Sequence, residues 1–125
     1  MYNEKNIHET NIQKILARDF NNKGRLWIND NGFAYHKIGG NYIGFRYGLG
    51  DGISDLIGFT EVEIDESMVG KRLPIFTAFE VKKGRGKASI EQENFIKFIR
   101  SKGGISGIVY DNDNIEKEIE KWRMN

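Results

Sequence analysis

Residues 78–82 read Ala78-Phe79-Glu80-Val81-Lys82, and their alternation is chemically suggestive. Successive side chains of an extended strand point to opposite faces, so Phe79 and Val81 share one face and Glu80 and Lys82 the other. The Cα atoms of Glu80 and Lys82 would lie about 6.5 Å apart, with both heads in the same space. A carboxylate beside an ammonium suits metal-assisted hydrolysis: the carboxylate holds a divalent cation while the lysine orients or deprotonates the attacking water. The same spacing also serves a structural ion pair on a sheet, and the triplet alone does not separate the two. A second element is the run Gly48-Leu49-Gly50-Asp51-Gly52-Ile53-Ser54-Asp55. A glycine-loose loop there runs into a strand and leaves Asp55 at the strand mouth, where a metal could reach it. A plain turn with an aspartate bonding its own backbone reads the same way.

Other chemistries fit poorly. Gly48, Gly50 and Gly52 have the wrong spacing for a dinucleotide loop, and Gly86-Lys87-Ala88 lacks the Ser/Thr and the upstream glycine of a P-loop. Zinc is disfavoured because there is no cysteine and His8 and His36 sit in no ligand spacing. His36 reads as an ordinary strand residue.

The elements that must position these residues follow from periodicity. Residues 7–20 place Ile12, Ile15, Leu16 and Phe20 at helical spacing. Leu26-Trp27-Ile28 and Phe33-Ala34-Tyr35, separated by Asn29-Asp30-Asn31-Gly32, predict a hairpin. A third strand is expected over 42–47, another from Asp55, a further strand-like alternation over 61–64, and the strongest strand over 73–82. Ser89-Ile90-Glu91-Gln92 is a capping box that opens a helix with Phe95, Ile96 and Ile99 on its core side. Gly103-Gly104 stops that helix, residues 105–110 are β-prone, and Asp111 caps a last helix carrying Ile115, Ile119 and Trp122 on one face. This order predicts a mixed α/β fold with a central sheet and flanking helices.

At 125 residues the chain fits a single domain spanning residues 1–125. Fifteen aromatic residues exclude a disordered chain. The absence of cysteine excludes disulfides and thiol catalysis and is compatible with a reducing cytosol. No apolar run approaches about 18 residues and no leader pattern opens the chain, so it reads as a soluble, cytoplasmic protein without a membrane partner. The net charge of +1 hides a segregation: residues 71–102 hold nine basic and three acidic side chains. A block of that density can hold a polyanion such as a nucleic-acid backbone; a solvated face balanced by nearby acids is the alternative.

Several of these motifs occur together in one known family. The run Gly52-x-x-Asp55-Leu-Ile-Gly58, then Glu80-Val-Lys82, then Gly86-Lys-x-Ser89-x-x-Gln92-x-x-Phe95-Ile96, then Gly103-Gly104 resembles the VRR-NUC family. This is the virus-type replication–repair nuclease branch of the PD-(D/E)XK superfamily, with its restriction-endonuclease-like fold. The short stand-alone form is typical of phage-encoded members, whose site of action would be the host cytoplasm.

The resemblance implies roles. Asp55 and Glu80 would bind Mg²⁺ or Mn²⁺ directly, with the Val81 carbonyl as a third ligand, and Lys82 would be the motif lysine. A glutamate of the first helix joins through an intervening water; Glu9 matches it, with Glu4 a competitor a turn or more too early. Gln92 matches a glutamine lining the family's site, although its capping box with Ser89 explains the pair without catalysis. Lys83, Arg85, Lys87 and Ser89 would hold backbone phosphates. The implied activity is a structure-selective DNA endonuclease acting on branched DNA such as Holliday junctions, as a homodimer. Three alternatives remain: a nicking or flap nuclease working with a replication or recombination protein partner, a non-catalytic DNA-binding module on the same fold, and a small α/β interaction protein whose motif matches are coincidental. The aromatic strand residues Tyr35, Tyr42, Phe45 and Tyr47 could be core, dimer surface or platforms for unpaired bases.

Overall fold

The computed structural model describes residues 4–125, with side chains from Glu9 onward. Its internal contacts gather into two compact units, Met1–Thr60 and Glu61–Asn125. The architecture is mixed α/β, three helices and paired strands of both senses, consistent with a PD-(D/E)XK-like nuclease fold.

The first unit opens with helix α1 (Glu4–Asp19), followed by a one-turn 3-10 helix at Phe20–Asn22. Ile12, Ile15 and Leu16 all remain about half exposed, so the stripe expected to face a core is only partly covered. Strand β1 (Gly24–Ile28) and strand β2 (Gly32–Ile38) both form, but they do not make the predicted hairpin with each other. Instead β2 pairs antiparallel with β3 (Asn41–Tyr47), and β1 pairs antiparallel with β4 (Leu56–Thr60). The physical reason lies at Gly39 and Gly40, whose φ angles are 57° and 84°. Two consecutive residues at positive φ make the two-residue turn whose twist matches the flanking strands, and glycine adopts it freely. The β1–β4 ladder is close-packed: a Cβ on Gly58 would fall 1.8 Å from the Arg25 carbonyl oxygen, so only glycine fits there.

In the second unit residues 61–64 join no strand ladder. Asp65 then caps a 3-10 turn at Glu66–Met68, its carboxylate accepting from the Ser67 N–H. The strand expected over 73–82 is confined to β5 (Thr77–Val81). Pro74 lacks the N–H that a ladder position needs, and regular pairing starts only beyond it. Helix α2 (Ile90–Ser101) crosses over to β6 (Ile105–Val109), which lies parallel to β5, and α3 (Asn112–Met124) packs on β6. The parallel pair needs such a crossover.

Ile96, Ile99, Ile105 and Val109 form the buried core of this unit. Each buried isoleucine contributes about 1.5–3 kcal/mol. Ser106, also buried, donates its hydroxyl to the Ala78 carbonyl at 2.7 Å and so meets its polar requirement inside the core. Gly107 is small because α3 passes directly over it: a Cβ would come within 2.6 Å of the Glu118 carboxyl carbon. Phe95, expected on the core side of α2, is 40% exposed and lines a cleft instead.

Candidate active site

Strand β5 delivers Glu80 and Lys82 as the alternation requires. Lys82 Nζ lies 3.4 Å from Glu80 Oε1, and both side chains are mostly covered. The same oxygen accepts a 2.8 Å hydrogen bond from Gln92 Nε2 on the first turn of α2. Gln92 is held in turn by its capping box: its Oε1 accepts from the Ser89 N–H at 2.9 Å, while its own N–H donates to Ser89 Oγ. The cap fixes the amide's oxygen on the backbone donor, which leaves the nitrogen to point at the carboxylate. Capping and contact with Glu80 are therefore two ends of one arrangement.

A cleft of about 230 Å³ opens beside these residues, lined among others by Glu80, Glu91, Gln92 and Phe95. Just after β5 the chain turns through residues 83–86, closed by the Gly86 N–H on the Lys83 carbonyl, with Gly84 at φ 60°. Tyr110 donates its hydroxyl to the Gly86 carbonyl at 3.3 Å and ties the turn to the end of β6. Lys83, Arg85 and Lys87 are exposed, and among the described residues none of them pairs with an acid. Those cations are available to an anionic ligand. Ser89 caps α2 through its oxygen and keeps its O–H as a donor.

The structure thus brings Glu80, Lys82 and Gln92 into contact within the second unit. Glu9 and Asp55 belong to the first. Glu9 is exposed on α1; the side chains of Glu4 and His8 lie outside the described residues. Asp55 is exposed and immediately precedes β4, at the mouth of the strand as expected. The loop before it has the glycine geometry anticipated, with φ of 92°, 115° and 82° at Gly48, Gly50 and Gly52.

Asn29 and Asn31, read from the sequence only as turn residues, are the clamps of that loop. Asn29 Oδ1 accepts from the Leu49 N–H, its Nδ2 donates to the Ser54 carbonyl, and its N–H donates to the Asp55 carbonyl. Asn31 brackets Gly50, accepting from its N–H and donating to its carbonyl, both at 3.0 Å. Asparagine next to a tight loop is the one available signal, since its side chain mimics a peptide group.

The oxygen donors fit a hard divalent cation. Gln92 and Lys82 both engage Oε1 of Glu80, and among the described residues no hydrogen bond or ion pair falls on Oε2. The Lys82 N–H donates to the Val109 carbonyl across the parallel ladder, and residues alternate sides in such a ladder. The Val81 carbonyl therefore points to the other edge of β5, which pairs with no further strand of this unit. A carboxylate oxygen and a peptide carbonyl suit Mg²⁺ or Mn²⁺ rather than zinc. Within neither unit do three or more His, Asp or Glu side chains gather into a metal cage among the described residues.

The family model for the VRR-NUC domain matches residues 7–111. The chain belongs to the VRR-NUC family. Among curated proteins and among solved structures, no chain matches it. A VRR-NUC domain is a nuclease, a hydrolase whose substrate is DNA and which generally depends on a divalent metal. No helix among the described residues is long and apolar enough to cross a membrane.

Proposed function

We propose that this VRR-NUC protein is a Mg²⁺- or Mn²⁺-dependent, structure-selective DNA endonuclease that cuts branched DNA in the cytoplasm. The observation that carries the reading is Glu80, fixed through one oxygen by Lys82 and Gln92 and followed just after β5 by a turn whose exposed cations pair with no acid among the described residues.

Glu80 and the Val81 carbonyl would hold the cation, and Asp55 and Glu9 take the metal roles that the family resemblance assigns them. When bound, the cation neutralises charge on the scissile phosphate and stabilises the leaving oxygen. Lys82 Nζ, held in place by Glu80, orients the attacking water and faces the charge that develops on the phosphate. That water's oxygen forms the new bond to phosphorus as the bond to the leaving sugar oxygen breaks, and the leaving oxygen takes up a proton. Gln92 keeps Glu80 in place. Lys83, Arg85, Lys87 and the Ser89 O–H hold the neighbouring backbone phosphates. The family match runs through both compact units, which supports reading residues 1–125 as one nuclease domain. A two-fold dimer would present two such sites to the paired strands of a junction.

The test is cleavage of labelled four-way junctions, flaps and linear duplex by the purified protein, with and without Mg²⁺ or Mn²⁺, alongside Lys82→Ala and Asp55→Ala. Metal-dependent cleavage of junctions is expected, with loss of at least about a hundredfold in rate in each variant. Absence of metal-dependent cleavage on every substrate overturns the enzyme reading, and binding without cleavage would assign the protein to the non-catalytic alternative. Equal cleavage of linear duplex overturns structure selectivity, and preference for flaps would favour the flap nuclease.

A further inference from the structure

The β2–β3 hairpin separates its aromatic residues by face. The register sets Phe33 opposite Arg46, Tyr35 opposite Gly44 and Lys37 opposite Tyr42. Alternation along each strand gathers these positions on one face and sends Ala34, His36, Phe45 and Tyr47 to the other. On the first face Tyr35 is 71% exposed and Tyr42 70%. The rings nonetheless touch their neighbours. Phe33 and Tyr35 meet edge to face with centroids 5.1 Å apart, and Lys37 Nζ sits 5.7 Å from the centre of the Tyr42 ring. Phe33 lies across Gly44, where a Cβ would come within 2.3 Å of its ring, so a larger residue there would displace it. Residues 31–50 contain no acid. Just beyond them Asp51 pairs with Arg46 at 2.8 Å between two exposed side chains.

We propose that this face is a stacking platform for unpaired nucleotides. Tyr35 and Tyr42 receive the bases, and Lys37 and Arg46 neutralise the flanking phosphates. The inference rests on the nuclease reading for its substrate class, because an enzyme working on branched DNA meets unpaired nucleotides at the branch. Ring and cation stand directly across the ladder from one another twice, at Phe33/Arg46 and Lys37/Tyr42. That interleaving matches a strand that offers a base and then a phosphate, and every base has a π-face, so the recognition is independent of sequence. Charge decides against a second copy of the chain as occupant. Two such faces brought together would set Lys37 against its own duplicate with no carboxylate between residues 31 and 50 to offset it, and Asp51 is already engaged by Arg46. A phosphate, by contrast, can take the place of the exposed Asp51 on Arg46.

The test is fluorescence anisotropy with the full chain in EDTA, where nothing is cut, using a labelled oligo-dT strand and a labelled blunt duplex. Tyr35→Ala and Tyr42→Ala should each weaken oligo-dT binding by about tenfold and leave duplex binding much less affected. Tyr35→Phe and Tyr42→Phe should keep the affinity, since the ring remains. Lys37→Ala, an exposed charge whose removal does not threaten folding, should weaken binding and make its salt dependence shallower. Unchanged oligo-dT affinity in both alanine variants and in Lys37→Ala overturns the proposal. So does an equal loss for blunt duplex, or a fall in light-scattering mass in the alanine variants, which would give the face to a second copy. Junction cleavage with Mg²⁺ reports separately on the nuclease reading. A failed platform leaves that cleavage standing, and a failed nuclease reading leaves oligo-dT binding in EDTA standing.

Discussion

Gln92 acts at two places because the two ends of its amide have opposite hydrogen-bonding character. The oxygen closes the capping box on the Ser89 N–H, and the nitrogen holds Glu80 Oε1. Two substitutions separate these tasks. Glutamate at the third helical position closes a capping box as well as glutamine does, so Gln92→Glu should keep the unfolding midpoint close to that of the parent. It also sets a second carboxylate against Glu80 in place of a donor, and cleavage should fall by about tenfold or more through like-charge repulsion. Gln92→Ala removes both ends: it should cost about 1 kcal/mol of stability, the usual worth of a cap interaction, and reduce cleavage as well. Thermal unfolding and junction cleavage on the same preparations check the pair. Loss of stability without loss of activity in Gln92→Ala would make the residue a cap alone.

Among the elements, the loop that carries Asp55 depends on asparagines from the segment between β1 and β2. Asn29 fastens Leu49 and Ser54, close to the two ends of the loop, and Asn31 fastens its middle at Gly50. In Asn29→Ala each lost bond of about 1 kcal/mol should speed amide exchange at Leu49 about fivefold. The Mg²⁺ concentration giving half-maximal cleavage should rise, because Asp55 is then held by a looser loop. A faster amide with an unchanged Mg²⁺ requirement would leave Asn29 with a role in folding only. This clamp also marks the limit of what local sequence reveals. Ser89 with Gln92 and Asp111 as a cap were legible because their partners lie within a few residues, and the glycine loop because positive φ belongs to glycine itself. The pairing of β1 with β4 was not, since their partners are some thirty positions apart in the chain and Asn29-Asp30-Asn31-Gly32 carries the composition of a hairpin turn. The Gly39-Gly40 turn, with both residues at positive φ, was the stronger signal and competed successfully for β2. Likewise the alternation at 61–64 predicted a strand but joins no ladder, because period alone supplies no partner. In the candidate site, the Glu80–Lys82 face followed from strand period, whereas the contact of Gln92 with Glu80 depends on the crossover that sets α2 against β5.

For the molecule as a whole, a net charge of +1 would make a poor argument for DNA binding if the charge were evenly spread. The basic block at residues 71–102 changes the argument, and the structure sorts its members. Lys82, Arg100 and Lys102 are paired with Glu80, Glu118 and Glu61. Lys83, Arg85 and Lys87 pair with no acid among the described residues and lie in or immediately after the turn that follows β5. Only cations that gain a phosphate release condensed counterions, and each such contact contributes about −0.9 to the slope of log affinity against log salt. Lys83→Ala and Arg85→Ala should each make that slope shallower by about 0.9 for a junction in EDTA. Lys102→Ala removes the same formal charge from a side chain already paired with Glu61, and should change the slope much less. Salt titrations of junction binding for the three variants decide the matter. Equal slopes in all three would mean that the block acts through its total charge. A shallower slope for the turn variants alone would place the DNA backbone at the turn that follows β5, next to the carboxylate proposed to hold the metal.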